Sequence, residues 1–135
     1  MTDSWLRRLS LLMALSWMGL LFYLSHQTRL PTPSLFSGQD KLIHAVVYGA
    51  LAAMLLASYP LRAGQYSWRQ VGASVLIASL YGASDELHQS FVPGRSAEVG
   101  DWIADTLGAL IAALAVAWLV KNRRALKPAA ENKML

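Results

Sequence analysis

"WIADTLGALIAALAVAWLV", Trp102 to Val120, follows directly on Asp101, carries a second acid, Asp105, one turn later, and then runs to its end with hardly a polar side chain. A helix in a soluble bundle keeps a polar face toward water. This stretch has almost none beyond its first turn, and its length is close to the roughly 20 residues that an α-helix needs to cross about 30 Å of hydrocarbon. "KNRR" follows at once. The stretch reads as a membrane-spanning helix, and the acids at its head need an explanation.

Three more blocks of the same kind precede it: Leu9–Ser25, Leu42 to about Tyr59, and about Trp68 to Leu87, the last continuously apolar only as far as Ser84. Blocks this long do not read as barrel strands, and only helices and closed barrels satisfy their backbone in lipid. Composition agrees: 55% of residues are hydrophobic and 15% charged, against roughly 25% charged in a soluble domain. The first block follows Arg7 and Arg8, as a signal-peptide core would. However, "FYLSHQT" is bulky where cleavage needs small residues, so the block is expected to stay. The fold expected is all-α, a four-helix transmembrane bundle over residues 1–120, with 121–135 a basic, flexible cytoplasmic tail. There are no cysteines, which excludes disulfides and thiolate chemistry. The net charge of +4 comes from basic residues scattered beside the apolar blocks rather than gathered in a patch, so nucleic acid is not an expected partner.

Those basic residues set the direction. Arg7, Arg8, Arg62, Arg69, Lys121, Arg123, Arg124, Lys127 and Lys133 fall on one side of the four spans, and Arg29, Lys41 and Arg95 on the other. The positive-inside rule then puts both termini in the cytoplasm. Trp5, Trp68 and Trp118 fall near that boundary and Trp102 near the opposite one, as interfacial anchors; mid-span Trp17 is expected to pack.

The acids sort differently. Asp3 and Glu131 are terminal, but Asp40, Asp85, Glu86, Glu98, Asp101 and Asp105 all fall on the outer side, with His26, His44 and His88. Acids contribute little to topology, so this is a separate observation. Asp40, Lys41, His44 and Tyr48 form a stripe along about 12 Å of the second helix. Tyr81, Asp85 and His88 share a face of the third helix, and Glu86 and Gln89 an adjacent one. Asp101, Asp105 and Gly108 share a face of the fourth. Carboxylates at membrane depth face protein or a watery cavity, so these stripes are expected to face one another. "VPGR", Val92 to Arg95, has the character of a tight turn that brings Arg95 over the mouth. An N-cap role would account for Asp101 but not for Asp105, a turn deeper. Gly49, Gly72, Gly82 and Gly108 are expected close-packing points, His26 a solvated residue and Glu98 an exposed loop acid.

In two blocks, "DKLIHAVVYGAL" and "SDELHQSFVPGRSAEVGDWIADTLGAL", the sequence resembles the VanZ-like family of small bacterial membrane proteins. The family pattern falls on Asp40, Lys41, His44, Tyr48, Glu86, Gln89, Arg95 and Asp101. Asp105 stands where many relatives carry asparagine. The resemblance implies a multi-pass protein of the bacterial inner membrane, in a family with some members associated with reduced sensitivity to the glycopeptide teicoplanin. It supplies no reaction.

The residues suggest a site at the outer leaflet for membrane lipid or a lipid-linked envelope precursor. His44, Glu86 and Asp101 are the candidate acid-base or catalytic groups. Asp40, Lys41, Tyr48, Gln89, Arg95 and Asp105 are candidate substrate-binding groups, with Lys41 and Arg95 as anion holders. Asp85, His88 and Tyr81 rank below them. No nucleophile stands out. Metal donors of suitable type are present, but without a close-spaced ligand pair, so no cofactor is expected and a divalent metal is the weaker reading. Oligomeric state is not legible. The competing reading is a non-catalytic protein whose polar cluster fixes the bundle or meets a partner. Conduction is disfavoured because the inner halves of the spans carry no acids to continue a relay.

Overall fold

The structure, a computed structural model, describes residues 2–28, 33 and 35–125. Arg29, Lys127, Glu131 and Lys133 lie outside them. Four helices make up most of the described chain: α1 (Thr2–Ser25), α2 (Gln39–Ala57), α3 (Trp68–Gln89) and α4 (Val99–Ala125). They run up and down alternately, so the ends of α1 and α3 meet the starts of α2 and α4. That end is called the site end below.

Helix boundaries depart from the edges of the apolar blocks because local chemistry sets them. Gly38, at φ +83°, turns the chain into α2. Before α3, Ser67 and Gln70 form a reciprocal capping box, which satisfies two otherwise unpaired amides. Between α3 and α4, the Arg95 amide donates to Val92 O at 3.1 Å. Gly94, at φ +83°, takes the position after proline where a type II turn needs positive φ. The expected "VPGR" turn is therefore present. α4 continues to Ala125, past the expected end at Val120.

Among the described residues, three helices are long and apolar enough to cross a membrane: Ser4–Ser25, Gln39–Ala57 and Val99–Arg123. α3 matches them in length but not in hydropathy, because it carries the buried polar residues Ser74, Ser79, Asp85, Glu86 and Gln89. Those side chains face protein: α3 packs against all three other helices. Large apolar side chains such as Leu12, Phe22, Val46, Leu80 and Ile111 point outward. In water such a surface would aggregate; in a bilayer acyl chains cover it.

Small residues bring the backbones together. A methyl built on Gly49 would lie 3.0 Å from Gly108 O, and one on Gly108 would collide with the Ala45 carbonyl, so α2 and α4 touch at backbone distance. Gly82 makes room on α3 for Asp105 of α4. Gly72 is different: nothing lies within 4 Å of a methyl built there, so it is not the packing point expected. α1 lies across α2 and α3. Its Trp17 does more than fill space, since the indole N–H donates to Val47 O at 2.9 Å.

Candidate functional site

His44, in the second turn of α2, sits among carboxylates from two other helices. Its Nδ1–H donates to Asp105 Oδ1 at 2.9 Å. Its Nε2 lies 3.9 Å from Asp101 Oδ2, and Glu86 Oε1 lies 4.0 Å from Nδ1. Asp105 is fully buried, and Glu86 and Asp101 are each 7% exposed. The register follows from helix geometry: Asp101 and Asp105 are one turn apart on α4, and α2 is close enough to place His44 against both. Glu86 comes from the last turn of α3. Its Oε2 accepts the Glu98 backbone amide at 2.7 Å, one of the amides that α4 leaves unpaired at its start.

Each of these acids uses one oxygen on the protein. Asp101 Oδ1 accepts from Lys41, Glu86 Oε2 from Glu98, and Asp105 Oδ1 from His44. Among the described residues, Glu86 Oε1 and Asp105 Oδ2 are buried without a hydrogen-bond partner, as is the Tyr48 hydroxyl. The Tyr48 ring stacks parallel to His44 at 6.3 Å and lies tilted against the Tyr81 ring at 6.2 Å. α4 begins at Val99, so Asp101 lies inside the helix and is not its N-cap.

Lys41 closes the mouth. Its Nζ lies 3.0 Å from Asp40, 3.1 Å from Glu98 and 3.1 Å from Asp101. An ammonium shared by three carboxylates is committed to the protein, which argues against its expected use as an anion holder. Glu98 is exposed, as expected, but it ties the start of α4 to α2 through this ion pair.

A second network runs beside the first. Asp85 accepts from Ser25 Oγ on α1 and, at 3.2 Å, from Gln89 Nε2; Arg95 Nη2 donates to Gln89 Oε1 at 2.9 Å. This is the one hydrogen bond that the Arg95 side chain makes among the described residues. Tyr81 donates to Met18 O at 2.6 Å, which commits it to packing against α1. His88 faces away from His44 and lies 3.3 Å from His26. His26 is exposed, as expected, but is paired.

Two apolar hollows open between the helices at this end. One, of about 270 Å³, is lined by Ala83, Glu86, Leu87, Ser90, Glu98 and Trp102 among others. Glu86 thus borders both the hollow and the His44 cluster. The other, of about 340 Å³, lies against Phe22, Tyr81, Asp85, His88 and Phe91.

Of the residues singled out from sequence, His44, Glu86, Asp101 and Asp105 come together, Asp40 and Lys41 sit at their rim, and Tyr48 lies beneath. Asp85, Gln89 and Arg95 form the adjoining network, while Tyr81 and His88 turn toward α1. Sequence reasoning missed Ser25 as a partner of Asp85. It also missed Ser79, whose carbonyl accepts the Trp102 indole N–H at 3.1 Å and whose hydroxyl meets Thr106 at 2.7 Å. No spacing rule points from one helix to a serine on another.

A family model described as VanZ/LLP1 matches residues 10–121. No curated protein matches the chain, and no solved structure does.

Proposed function

The chain belongs to the VanZ/LLP1 family and is a membrane protein, and from that premise we propose that its site end binds a lipid-linked or other cell-envelope substrate at the extracytoplasmic face of the bacterial inner membrane. The observation that carries this reading is the position of Glu86. Its side chain lines an apolar hollow of about 270 Å³, while its carboxylate reaches the His44 cluster. A molecule with a polar head and a long apolar tail matches that pairing, since ligand sites combine apolar walls with a few convergent polar groups. Leu87, Val99 and Trp102 are exposed beside the hollow and would lie against the tail.

In this reading Arg95 takes the anionic part of the head, having guanidinium N–H groups to spare, and Gln89 orients it. His44 is the acid-base group, held in one ring orientation by Asp105; Glu86 and Asp101 are its neighbours. Tyr48 orients the ring from below. The orientation rests on the excess of Lys and Arg at the opposite end of the bundle. The link to glycopeptide susceptibility is carried over from the family resemblance alone.

A second reading is favoured by Lys41. A triply paired ammonium and an Asp85–Gln89–Arg95 chain are what a polar lock between helices would contain, and such locks specify packing without chemistry. His44→Ala, Glu86→Gln and Arg95→Ala separate the two. For a binding site, each variant accumulates in the membrane at wild-type level, loses the phenotype of the intact gene and stops co-purifying with its lipid. Loss of folded protein in step with phenotype at all three positions would sink the proposal in favour of the lock.

A further inference from the structure

The site end carries six carboxylates among its described residues, Asp40, Asp85, Glu86, Glu98, Asp101 and Asp105, against two permanent cations, Lys41 and Arg95. Two trios of potential metal ligands occur there: Asp40, Glu98 and Asp101, and His44, Glu86 and Asp101. The first trio already holds a cation, since Lys41 Nζ lies within 3.1 Å of an oxygen on each of its members. The second trio is more buried: it shares Asp101, whose Oδ1 is paired with Lys41, but among the described residues its Glu86 has no lysine or arginine in ion-pair contact.

We propose that His44, Glu86 and Asp101 bind one divalent first-row transition ion, Mn²⁺ or Zn²⁺, with Asp105 as the positioning residue for His44. Each ligand offers one atom, and the three atoms lie within 4.8 Å of one another, a span that one ion at about 2.0–2.2 Å from each donor closes with small side-chain movements. An independent observation points the same way. Glu86 is 7% exposed, yet its Oε1 has no hydrogen-bond partner and is turned toward His44. An unpaired buried carboxylate oxygen is costly, and a cation beside it removes the cost.

The surroundings have the arrangement that metal ligands usually require. A ligating histidine donates its other ring N–H to a carboxylate, which fixes the ring and raises its basicity. His44 does so to Asp105 through Nδ1, leaving Nε2, 3.9 Å from Asp101 Oδ2, as the ligand atom; Glu86 Oε1, 4.0 Å from Nδ1, is the donor that must rotate toward Nε2 to complete the set. The other oxygens of Glu86 and Asp101 are anchored by the Glu98 amide and by Lys41. One imidazole and two carboxylates are a mixed donor set suited to Zn²⁺ or Mn²⁺. Three protein ligands also leave coordination positions for water or for an oxygen of the substrate head. This deepens the binding-site reading above, on which the last clause alone rests. Cation binding itself requires no lipid substrate.

The test uses the full chain in detergent, stripped with EDTA and titrated with Mn²⁺ alone, then with Zn²⁺ in competition. The expected result is saturable binding of one ion per chain, with ¹⁴N coupling to a histidine in the Mn²⁺ spin-echo spectrum. Glu86→Gln and Asp101→Asn lose binding, and His44→Ala loses the nitrogen coupling. Asp105→Asn weakens affinity about ten- to a hundredfold, as loss of an outer partner does, and Asp40→Asn leaves it unchanged. No saturable binding by the wild-type chain at millimolar Mn²⁺ overturns the proposal, whatever the variants do. So does equal loss in Asp40→Asn and Asp101→Asn, which would put the ion in the exposed trio. Because no substrate is in the titration, an ion that binds while no lipid co-purifies would leave this inference standing and sink the substrate reading.

Discussion

Asp105 occupies the space that Gly82 leaves open: a methyl built on Gly82 would lie 2.6 Å from Asp105 Oδ2 and 3.1 Å from its Cβ. Asp105 has no room to swing aside, being fully buried with its other oxygen on His44. Gly82→Ala should therefore destabilise the protein by about 1–3 kcal/mol, as overpacking does, and disturb the His44 ring with it. Gly72→Ala, on the same helix with open space around it, should be neutral or stabilise by up to about 1 kcal/mol through helix propensity. Thermal unfolding of both variants in one detergent checks the contrast; equal effects would mean that Gly82 is not a packing contact.

The Ser25–Asp85–Gln89–Arg95 chain should behave as a unit. Ser25→Ala removes one donor from a buried carboxylate and should cost about 1.5–3 kcal/mol, the range for hydrogen bonds to charged groups. Gln89→Ala removes a donor from Asp85 and the acceptor of Arg95 and should cost more. A double-mutant cycle between positions 25 and 89 should show coupling of at least about 0.5 kcal/mol, since both act on Asp85. Simple additivity would show that the two bonds are independent.

The apolar hollow can be filled by an apolar side chain that changes no charge of the polar cluster. Ala83→Leu places bulk beside Leu87 and Trp102; it should reduce the amount of co-purifying lipid several-fold and leave Mn²⁺ affinity within about twofold. Mass spectrometry of the purified protein and the metal titration read the two effects separately. Unchanged lipid content would remove the hollow from the site.

Topology is open to direct labelling because the chain has no native cysteine. Ser96→Cys, exposed in the turn between α3 and α4, should react with an impermeant thiol reagent added to intact cells with a permeable outer barrier. Ala129→Cys should react only after the inner membrane is broken. Labelling of Ser96→Cys from the cytoplasmic side alone would invert the proposed orientation.

The four helices were legible because hydrophobic blocks about 20 residues long have one stable solution in lipid. Their ends were not, because caps decide them: Gly38, the Ser67–Gln70 pair and the Glu98 amide on Glu86 lie outside the hydrophobic pattern. The gathering of His44, Glu86, Asp101 and Asp105 was legible as well, since charges at helix ends in a membrane avoid lipid together. Their division was not. Lys41 looked like a group available to an anion until three carboxylates were seen around it. Likewise, His88 shared a helical face with Asp85 in sequence yet lies against His26.

Sequence by itself determined that this chain is a bundle of apolar helices with its ionisable groups collected at one end, because solvation energy depends on residue type and order along the chain. Only the tertiary structure decided which oxygen meets which nitrogen. Glycines set how closely α2, α3 and α4 approach, and a shift of one helical turn in any of them would give Asp105, Glu86 and Lys41 different partners. Pairing is short-ranged and depends on three-dimensional register, which no one-dimensional spacing encodes.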